Sequence, residues 1–192
     1  MPNPAPAPTP RRHRLVIEPM TAESFAPFGR LLVSSQEPAE RRVMTALPFE
    51  CDGRTTVYAI WQPCKGRSFS RLERHFGVTQ TFVQVSGSPS VVCVAAPTDL
   101  ADPEAVPRPE DVRAFLIDPG RPFAFARGTW HSLDRYVLSP PGATFVILNV
   151  DPNPTQIVDY ADGTSRRYAD LGAEPEPSPS VVDTGPPLVF EV

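Results

Sequence analysis

The sequence predicts an all-β domain, folded as a sandwich or a barrel. Short apolar segments alternate with polar residues at a period of two, as in Thr55–Trp61. Turn signals such as Ser86-Gly87-Ser88-Pro89 separate these segments. Many short strands with glycine and proline between them, and little helix, are typical of sandwiches and barrels.

The first part of the chain is predicted to contain little regular structure. Residues 1–13 are rich in proline and predict a disordered leader. Arg14–Pro19 has the pattern of a short strand, and Thr21 is a suitable N-cap for a short helix over Ala22–Ala26. A further short strand is expected at Leu31–Val33, whereas residues 34–54 are polar and show no clear pattern.

The central part holds most strands of the predicted domain, which spans residues 14–160. The strands predicted there are Thr55–Trp61, Thr81–Val85, Ser90–Ala95, Ala114–Ile117, Phe123–Phe125 and Thr144–Val150. Residues 161–192 are predicted to form a proline-rich C-terminal arm. The arm ends in the apolar segment Leu188–Phe190, which is expected to dock as an edge strand on its own barrel or on a neighbouring copy.

Length and composition exclude several classes of protein. The 192 residues suit one domain, and the formal net charge of -4 argues against a non-specific nucleic-acid surface. No apolar run approaches the ~20 residues of a membrane span, and the N-terminus lacks the apolar segment of a secretory signal. Three cysteines at unrelated spacings indicate reduced thiols rather than a disulfide framework, so a cytoplasmic location is expected.

One stretch, Leu72–Gly87, combines side chains with functional chemistry. Glu73 and His75 are separated by one residue, so on a strand they share a face. Arg74 lies between them and points the other way. Gln80 follows after a glycine bend. A carboxylate, an imidazole and an amide are therefore expected to converge at the mouth of a β-structure.

A second stretch, Gly120–His131, completes a resemblance to the cupin superfamily. The residues at positions of the first cupin motif are Glu73 (for histidine), His75, Gln80 (for glutamate) and Gly87. Those at positions of the second motif are Gly120, Ala126 (for proline), Gly128, His131 and Arg135 (for asparagine). The resemblance implies a cupin-type β-barrel, the double-stranded β-helix or jelly roll, rather than an open sandwich.

The resemblance narrows to the ureidoglycolate lyase family of allantoin degradation. The matching segments follow the family order from about residue 15 to 151: Pro19–Thr21, Phe25–Gly29, Leu72–His75, Thr79–Phe82, Arg113–Leu116 and Gly128–His131. One departure is Ser132, because the family commonly has a second histidine at this place. The resemblance implies a homodimeric carbon–nitrogen lyase that cleaves ureidoglycolate, a small carboxylate, to glyoxylate and urea in purine catabolism.

The resemblance also implies roles for individual side chains. His131, His75 and Glu73 are the predicted catalytic groups, since the cleavage needs acid–base groups that titrate near neutral pH. Arg127, Gln80 and Trp130 are predicted to contact the substrate, with Arg127 holding its carboxylate. For Trp130, packing as part of the barrel wall is the alternative.

Two questions stay open from the sequence. Glu73, His75, Gln80 and His131 form a candidate ligand set for nickel, manganese, iron or zinc, and a polar pocket without a metal is the alternative. Other functions for a cupin barrel are also compatible with the sequence: an isomerase, cyclase or dioxygenase acting on another small oxygenated acid, or a non-catalytic binding protein.

Overall fold

The alternating segments fold into an all-β structure. The structure, a computed structural model, describes residues 10–170, 172–177 and 179–192. Within these residues the strands are β1 (Arg11–Arg14), β2 (Ile17–Pro19), β3 (Gly29–Leu31), β4 (Arg54–Pro63), β5 (Ser68–Phe69), β6 (Arg71–His75), β7 (Thr81–Gly87), β8 (Ser90–Ala95), β9 (Arg113–Ile117), β10 (Phe123–Phe125), β11 (Trp130–Ser132), β12 (Tyr136–Val137), β13 (Gly142–Asp151), β14 (Thr155–Asp159), β15 (Thr164–Tyr168), β16 (Ser180–Val181) and β17 (Leu188–Glu191). The helical elements are α1 (Ala22–Phe25) and a single 3-10 turn, Pro109–Asp111. None of the described helices is long and apolar enough to cross a membrane.

Two sheets face each other and enclose the main core. One has five strands in the order β3-β10-β7-β13-β4. The other has nine strands, ordered β16-β15-β14-β6-β11-β8-β9-β2, with β12 paired to β8. The core between them is rich in phenylalanine: Phe25, Phe28, Phe82, Phe115, Phe123, Phe125 and Phe145. This cupin-type arrangement confirms the predicted fold class.

The central strands of the nine-stranded sheet are buried on both faces. Along β8, Val92 and Val94 belong to the main core, whereas Cys93 between them belongs to a second core on the opposite face. A third sheet, with strands in the order β1-β17-β5, covers this second core and is called the covering sheet below. Leu188 and Phe190 of β17 contribute to the second core. The apolar C-terminal segment therefore docks on its own chain.

Helix α1 begins where the sequence predicts. The Thr21 hydroxyl oxygen accepts the Ser24 N–H at 3.0 Å, and the Ser24 hydroxyl oxygen accepts the Thr21 N–H at 3.0 Å. This capping box satisfies backbone donors that have no partner within the helix. The helix ends at Phe25, ahead of Pro27, and the Phe25 ring packs edge-on against Phe115 with centroids 5.6 Å apart.

Several strand boundaries differ from the prediction, and long-range pairing explains the differences. Arg14–Pro19 is not one strand, because β1 pairs with β17 in the covering sheet and β2 pairs with β9. The strand predicted at Leu31–Val33 begins earlier, at Gly29, where it meets β10. The predicted strand Thr55–Trp61 extends over the whole of β4, because β13 pairs with it along its full length.

The ends of the chain contribute strands as well as irregular segments. Residues 1–9 of the predicted leader lie outside the described residues, and residues 11–13 belong to β1. The predicted arm, residues 161–192, supplies β15, β16 and β17. The division into leader, barrel domain and arm stays a prediction.

Candidate active site

Strand pairing brings the three predicted catalytic side chains together. Glu73 and His75 lie on β6, and His131 on the neighbouring β11 is the direct pairing partner of Glu73. Directly opposed residues of neighbouring strands project to the same side of a sheet. Leu72 alternates with them and belongs to the second core. Glu73, His75 and His131 therefore project together into the interior between the two main sheets.

The distances are those of one compact polar cluster. One potential ligand atom from each of Glu73, His75 and His131 lies within 4.8 Å of the other two. His131 Nδ1 is 3.6 Å from Glu73 Oε1. The two imidazole ring centroids are 5.2 Å apart. The carboxylate and both rings can thus contact the same small ligand.

Hydrogen bonds fix the tautomer of each neutral imidazole. The Thr155 hydroxyl donates to the Asn153 carbonyl at 2.9 Å, so it accepts from His75 Nδ1 at 2.8 Å. His131 Nδ1 donates to the Ser132 carbonyl at 3.1 Å. In both rings the proton is on Nδ1, and Nε2 carries a free lone pair. His131 Nε2 is buried and has no hydrogen-bond partner among the described residues.

Burial and one nearby cation set the protonation states. Burial, together with a smaller effect of the Arg135 guanidinium, lowers the pKa of His75 to about 3. The same two causes, with a smaller effect of His75, hold the pKa of His131 well below its usual range. Burial raises the pKa of Glu73 to about 7, against the opposing effect of Arg135. Near neutral pH, both imidazoles are neutral and Glu73 readily exchanges its proton.

Gln80 shares a small cavity with both histidines. The cavity is closely filled by its side chains and leaves no space for a water-sized sphere; it is lined by His75, Val78, Gln80, Phe125, Ala126, Thr129 and His131. The Phe125 ring stacks on His131 with centroids 4.6 Å apart, which holds that imidazole in place. Gln80 Oε1 is buried without a hydrogen-bond partner. Gln80 therefore lies in the same cavity as both histidines, which in turn lie beside the Glu73 carboxylate.

Arg127 and Trp130, the other predicted substrate contacts, lie elsewhere. Arg127 lines a neighbouring cavity of about 460 Å³. Both of its terminal nitrogens bond Asp52, with Nη2 3.0 Å from Oδ1, and its Nε is 3.8 Å from Glu50 Oε2. Trp130 is fully buried in the second core, and its indole N–H donates to Thr98 at 3.1 Å. Their assignment to the substrate stays a prediction.

Sequence reasoning missed one charged residue of the site, Arg135. It follows β11, is 5% exposed, and its charge affects the pKa of Glu73, His75 and His131. The available signal was a charged residue between two buried strands, four positions after His131 and at the asparagine position of the cupin motif. That signal identifies a position but gives no indication that the side chain turns inward.

The donor set also fits a divalent transition metal. Two imidazole nitrogens with free lone pairs, the Glu73 carboxylate and the unpartnered Gln80 oxygen are the nitrogen and oxygen donors that such ions accept. Backbone and hydroxyl acceptors on the Nδ1 atoms orient both rings, as commonly seen around metal-binding histidines. Glu73, His75, Gln80 and His131 are therefore the residues that could hold a metal.

Comparisons with known proteins identify the family of the chain. The family model described as ureidoglycolate lyase matches residues 43–161. A ureidoglycolate lyase of Rhodobacter capsulatus is 33% identical over 144 residues, which cover 68% of this chain and 81% of the relative. Those of Azotobacter vinelandii and Pseudomonas aeruginosa are 30% and 32% identical over 130 residues, covering 61% of this chain and 74% and 73% of the relatives. The chain belongs to the ureidoglycolate lyase family.

Proposed function

We propose that this lyase cleaves ureidoglycolate to glyoxylate and urea. Membership of the family supports the reaction. The observation that carries the proposal is the buried cluster in which two neutral imidazoles, each with a free Nε2, lie beside a carboxyl group of pKa about 7. The alternatives of another cupin enzyme or a binding protein are not favoured, since the relatives named above are ureidoglycolate lyases.

The proposed mechanism is proton transfer at the two ends of the breaking bond. The substrate carries a hydroxyl and a urea nitrogen on the same carbon. Nε2 of His131 takes the hydroxyl proton, the C–O bond becomes the aldehyde carbonyl, and the C–N bond electrons leave with the nitrogen. Protonated Glu73 donates its proton to that nitrogen and releases urea. A group with a pKa near 7 suits this role at neutral pH.

The remaining side chains orient the reacting groups. We assign Nε2 of His75 and Oε1 of Gln80 to accepting N–H groups of the urea part of the substrate. When bound to Glu73, His75, Gln80 and His131, a divalent metal would supply Lewis-acid polarisation of a substrate oxygen.

Glyoxylate release from racemic ureidoglycolate tests the proposed function. The purified protein should release glyoxylate well above the rate of spontaneous decay, and only one enantiomer should be consumed rapidly, because the cluster is chiral. Parallel assays with a chelator and with added nickel, manganese, iron or zinc separate metal-assisted from metal-free cleavage. Folded protein without activity under any of these conditions would contradict the proposal.

We propose that the protein is a cytoplasmic enzyme whose cysteines are reduced. Its proposed substrate is a small carboxylate. Cys51, Cys64 and Cys93 are all free thiols. Free thiols are usual in reducing compartments.

We also propose a homodimer that pairs through the outer face of the five-stranded sheet. This face carries Val57 and Trp61 of the edge strand β4, which are 67% and 53% exposed. Val146 on β13 continues the apolar surface, because it pairs with both Ala59 and Val83. Contiguous exposed apolar surface marks an interaction site. The family resemblance makes a second copy the expected occupant.

The Trp61→Glu variant should convert the dimer to a monomer at micromolar concentration, because it puts a charge into the apolar contact. Light scattering gives the mass of each variant. Val181→Glu is the matched control, since Val181 is also highly exposed but lies on β16 in the other sheet. A wild-type protein that is monomeric under the same conditions would refute the dimer.

A further inference from the structure

Arg135 is a buried guanidinium that packs against the aromatic rings of the main core. Its Cζ lies 4.1 Å from the centroid of the Phe82 ring and 6.0 Å from that of Phe125. Phe125 stacks on His131, so one layer of aromatic rings connects the guanidinium to the imidazole. The Ser132 carbonyl accepts hydrogen bonds from both Arg135 Nη1 at 2.7 Å and His131 Nδ1 at 3.1 Å, which places the guanidinium close to this imidazole.

The guanidinium uses only one of its three nitrogens. Nη1 donates to the Ser132 carbonyl at 2.7 Å and to the Leu133 carbonyl at 3.4 Å. Nε is buried without a partner, and no hydrogen bond from Nη2 occurs among the described residues. The adjacent carboxylate, Asp134, is instead paired with Lys65 at 2.9 Å. Arg135 is thus held in place through Nη1, whereas the side formed by Nε and Nη2 is unused among the described residues.

Arg74 provides a comparison within the same molecule. It is also buried, but all three of its guanidinium nitrogens donate hydrogen bonds. Nε and Nη2 bond Gln156 Oε1 at 3.0 and 2.7 Å, and Nη1 bonds the Thr98 hydroxyl at 2.9 Å. Arg74 is therefore a fully satisfied structural residue, whereas Arg135 keeps donors without acceptors.

A buried guanidinium whose N–H groups lack acceptors is energetically unfavourable unless a ligand accepts hydrogen bonds from them. The unused side of Arg135 is the edge formed by Nε and Nη2, whose two N–H bonds are parallel. This edge matches the two oxygens of a carboxylate in a bidentate contact.

We propose that Arg135 binds the carboxylate of the substrate through Nε and Nη2, and that the site takes small 2-hydroxy and 2-oxo carboxylates. This inference rests on the proposed function and names its binding residue. Arg127 is the rival cation. It already bonds Asp52 through both terminal nitrogens, so a substrate there would have to displace a carboxylate.

The test measures binding of glycolate, a small 2-hydroxy carboxylate, by calorimetry. Glycolamide, which lacks the charge, is the matched probe. Arg135→Gln should weaken glycolate binding about 100-fold, because two charge-assisted hydrogen bonds are lost. Arg127→Gln should change it less than about threefold. Arg135→Lys should recover part of the affinity, since a charge remains without the bidentate geometry. Glycolamide should bind all variants weakly and equally.

Two results would overturn the assignment: unchanged glycolate binding in folded Arg135→Gln, or a large loss in Arg127→Gln alone. A crystal structure of the wild-type protein with bound glycolate tests the assignment without any substitution. A carboxylate within about 3 Å of Arg135 Nε and Nη2 supports the proposal, and one on Arg127 refutes it.

Steady-state kinetics separate this proposal from the proposed function. If Arg135→Gln cleaves ureidoglycolate with an unchanged KM, the lyase stands and the role of Arg135 is refuted. If the wild type does not cleave ureidoglycolate but binds glycolate through Arg135, the binding residue stands and the lyase reaction is refuted.

Discussion

The His131→Ala variant is expected to release glyoxylate at least ~100-fold more slowly than the wild type. The substitution removes the only group assigned to take the hydroxyl proton, whose Nε2 is held free by the bond from Nδ1 to the Ser132 carbonyl. Because His131 also stacks on Phe125, the substitution leaves a void beside the Phe125 ring. Circular dichroism should therefore be used to verify that the variant is folded.

His13→Ala is the control for this experiment. His13 lies on β1 in the covering sheet and packs edge-on against Phe190, with centroids 5.7 Å apart. Its loss should leave the rate of glyoxylate release unchanged. A folded His131→Ala protein with full activity would contradict the catalytic assignment, and a large loss in His13→Ala would show that the assay reports stability rather than chemistry.

The Glu73→Gln variant is expected to be more stable than the wild type above pH 7. Burial raises the pKa of Glu73 from 4.5 to about 7, so the folded state favours the neutral carboxyl. That contribution to stability is complete below pH 4.5 and is lost as the pH rises through 7. Glutamine stays neutral throughout. The difference in free energy of unfolding should therefore grow from near zero at pH 4.5 to about 3 kcal/mol at pH 8.

Urea denaturation at several pH values, with a chelator present, measures this difference. Glu18→Gln is the control, because the Glu18 carboxylate bonds Arg113 and its pKa is lowered rather than raised. That substitution should not stabilise the protein at any pH. A Glu73→Gln protein that is less stable than the wild type at pH 8 would show that the carboxylate is satisfied inside the site.

The local part of the site could be predicted from the sequence. Glu73 and His75 share a face because a strand has a period of two, and that relation needs no knowledge of the rest of the fold. Thr21 predicted the start of α1 for the same reason, since its capping box is made within four residues. His131 pairs with Glu73 although the two residues are distant in sequence. To predict that they lie close together, the spacing of the two cupin motifs was needed as well.

What the sequence could not show depends on contacts between distant segments. Arg127 and Asp52 meet across the rim of the barrel, 75 positions apart, and no local pattern encodes that pairing. The turn after His131 directs Arg135 inward, because the Ser132 hydroxyl accepts the Cys93 N–H and donates to the Asp134 carbonyl. The sequence indicates neither bond, so it could not show that Arg135 is buried close to His131.

The covering sheet has a consequence for how the protein is made. Arg11 pairs with Leu188, and Phe190 contacts Phe69 and Tyr160 at centroid distances of 5.0 and 5.1 Å. These contacts cannot form until β17 has left the ribosome. A nascent chain therefore leaves the second core open until β17 emerges, and until then one apolar face of the nine-stranded sheet lacks its cover.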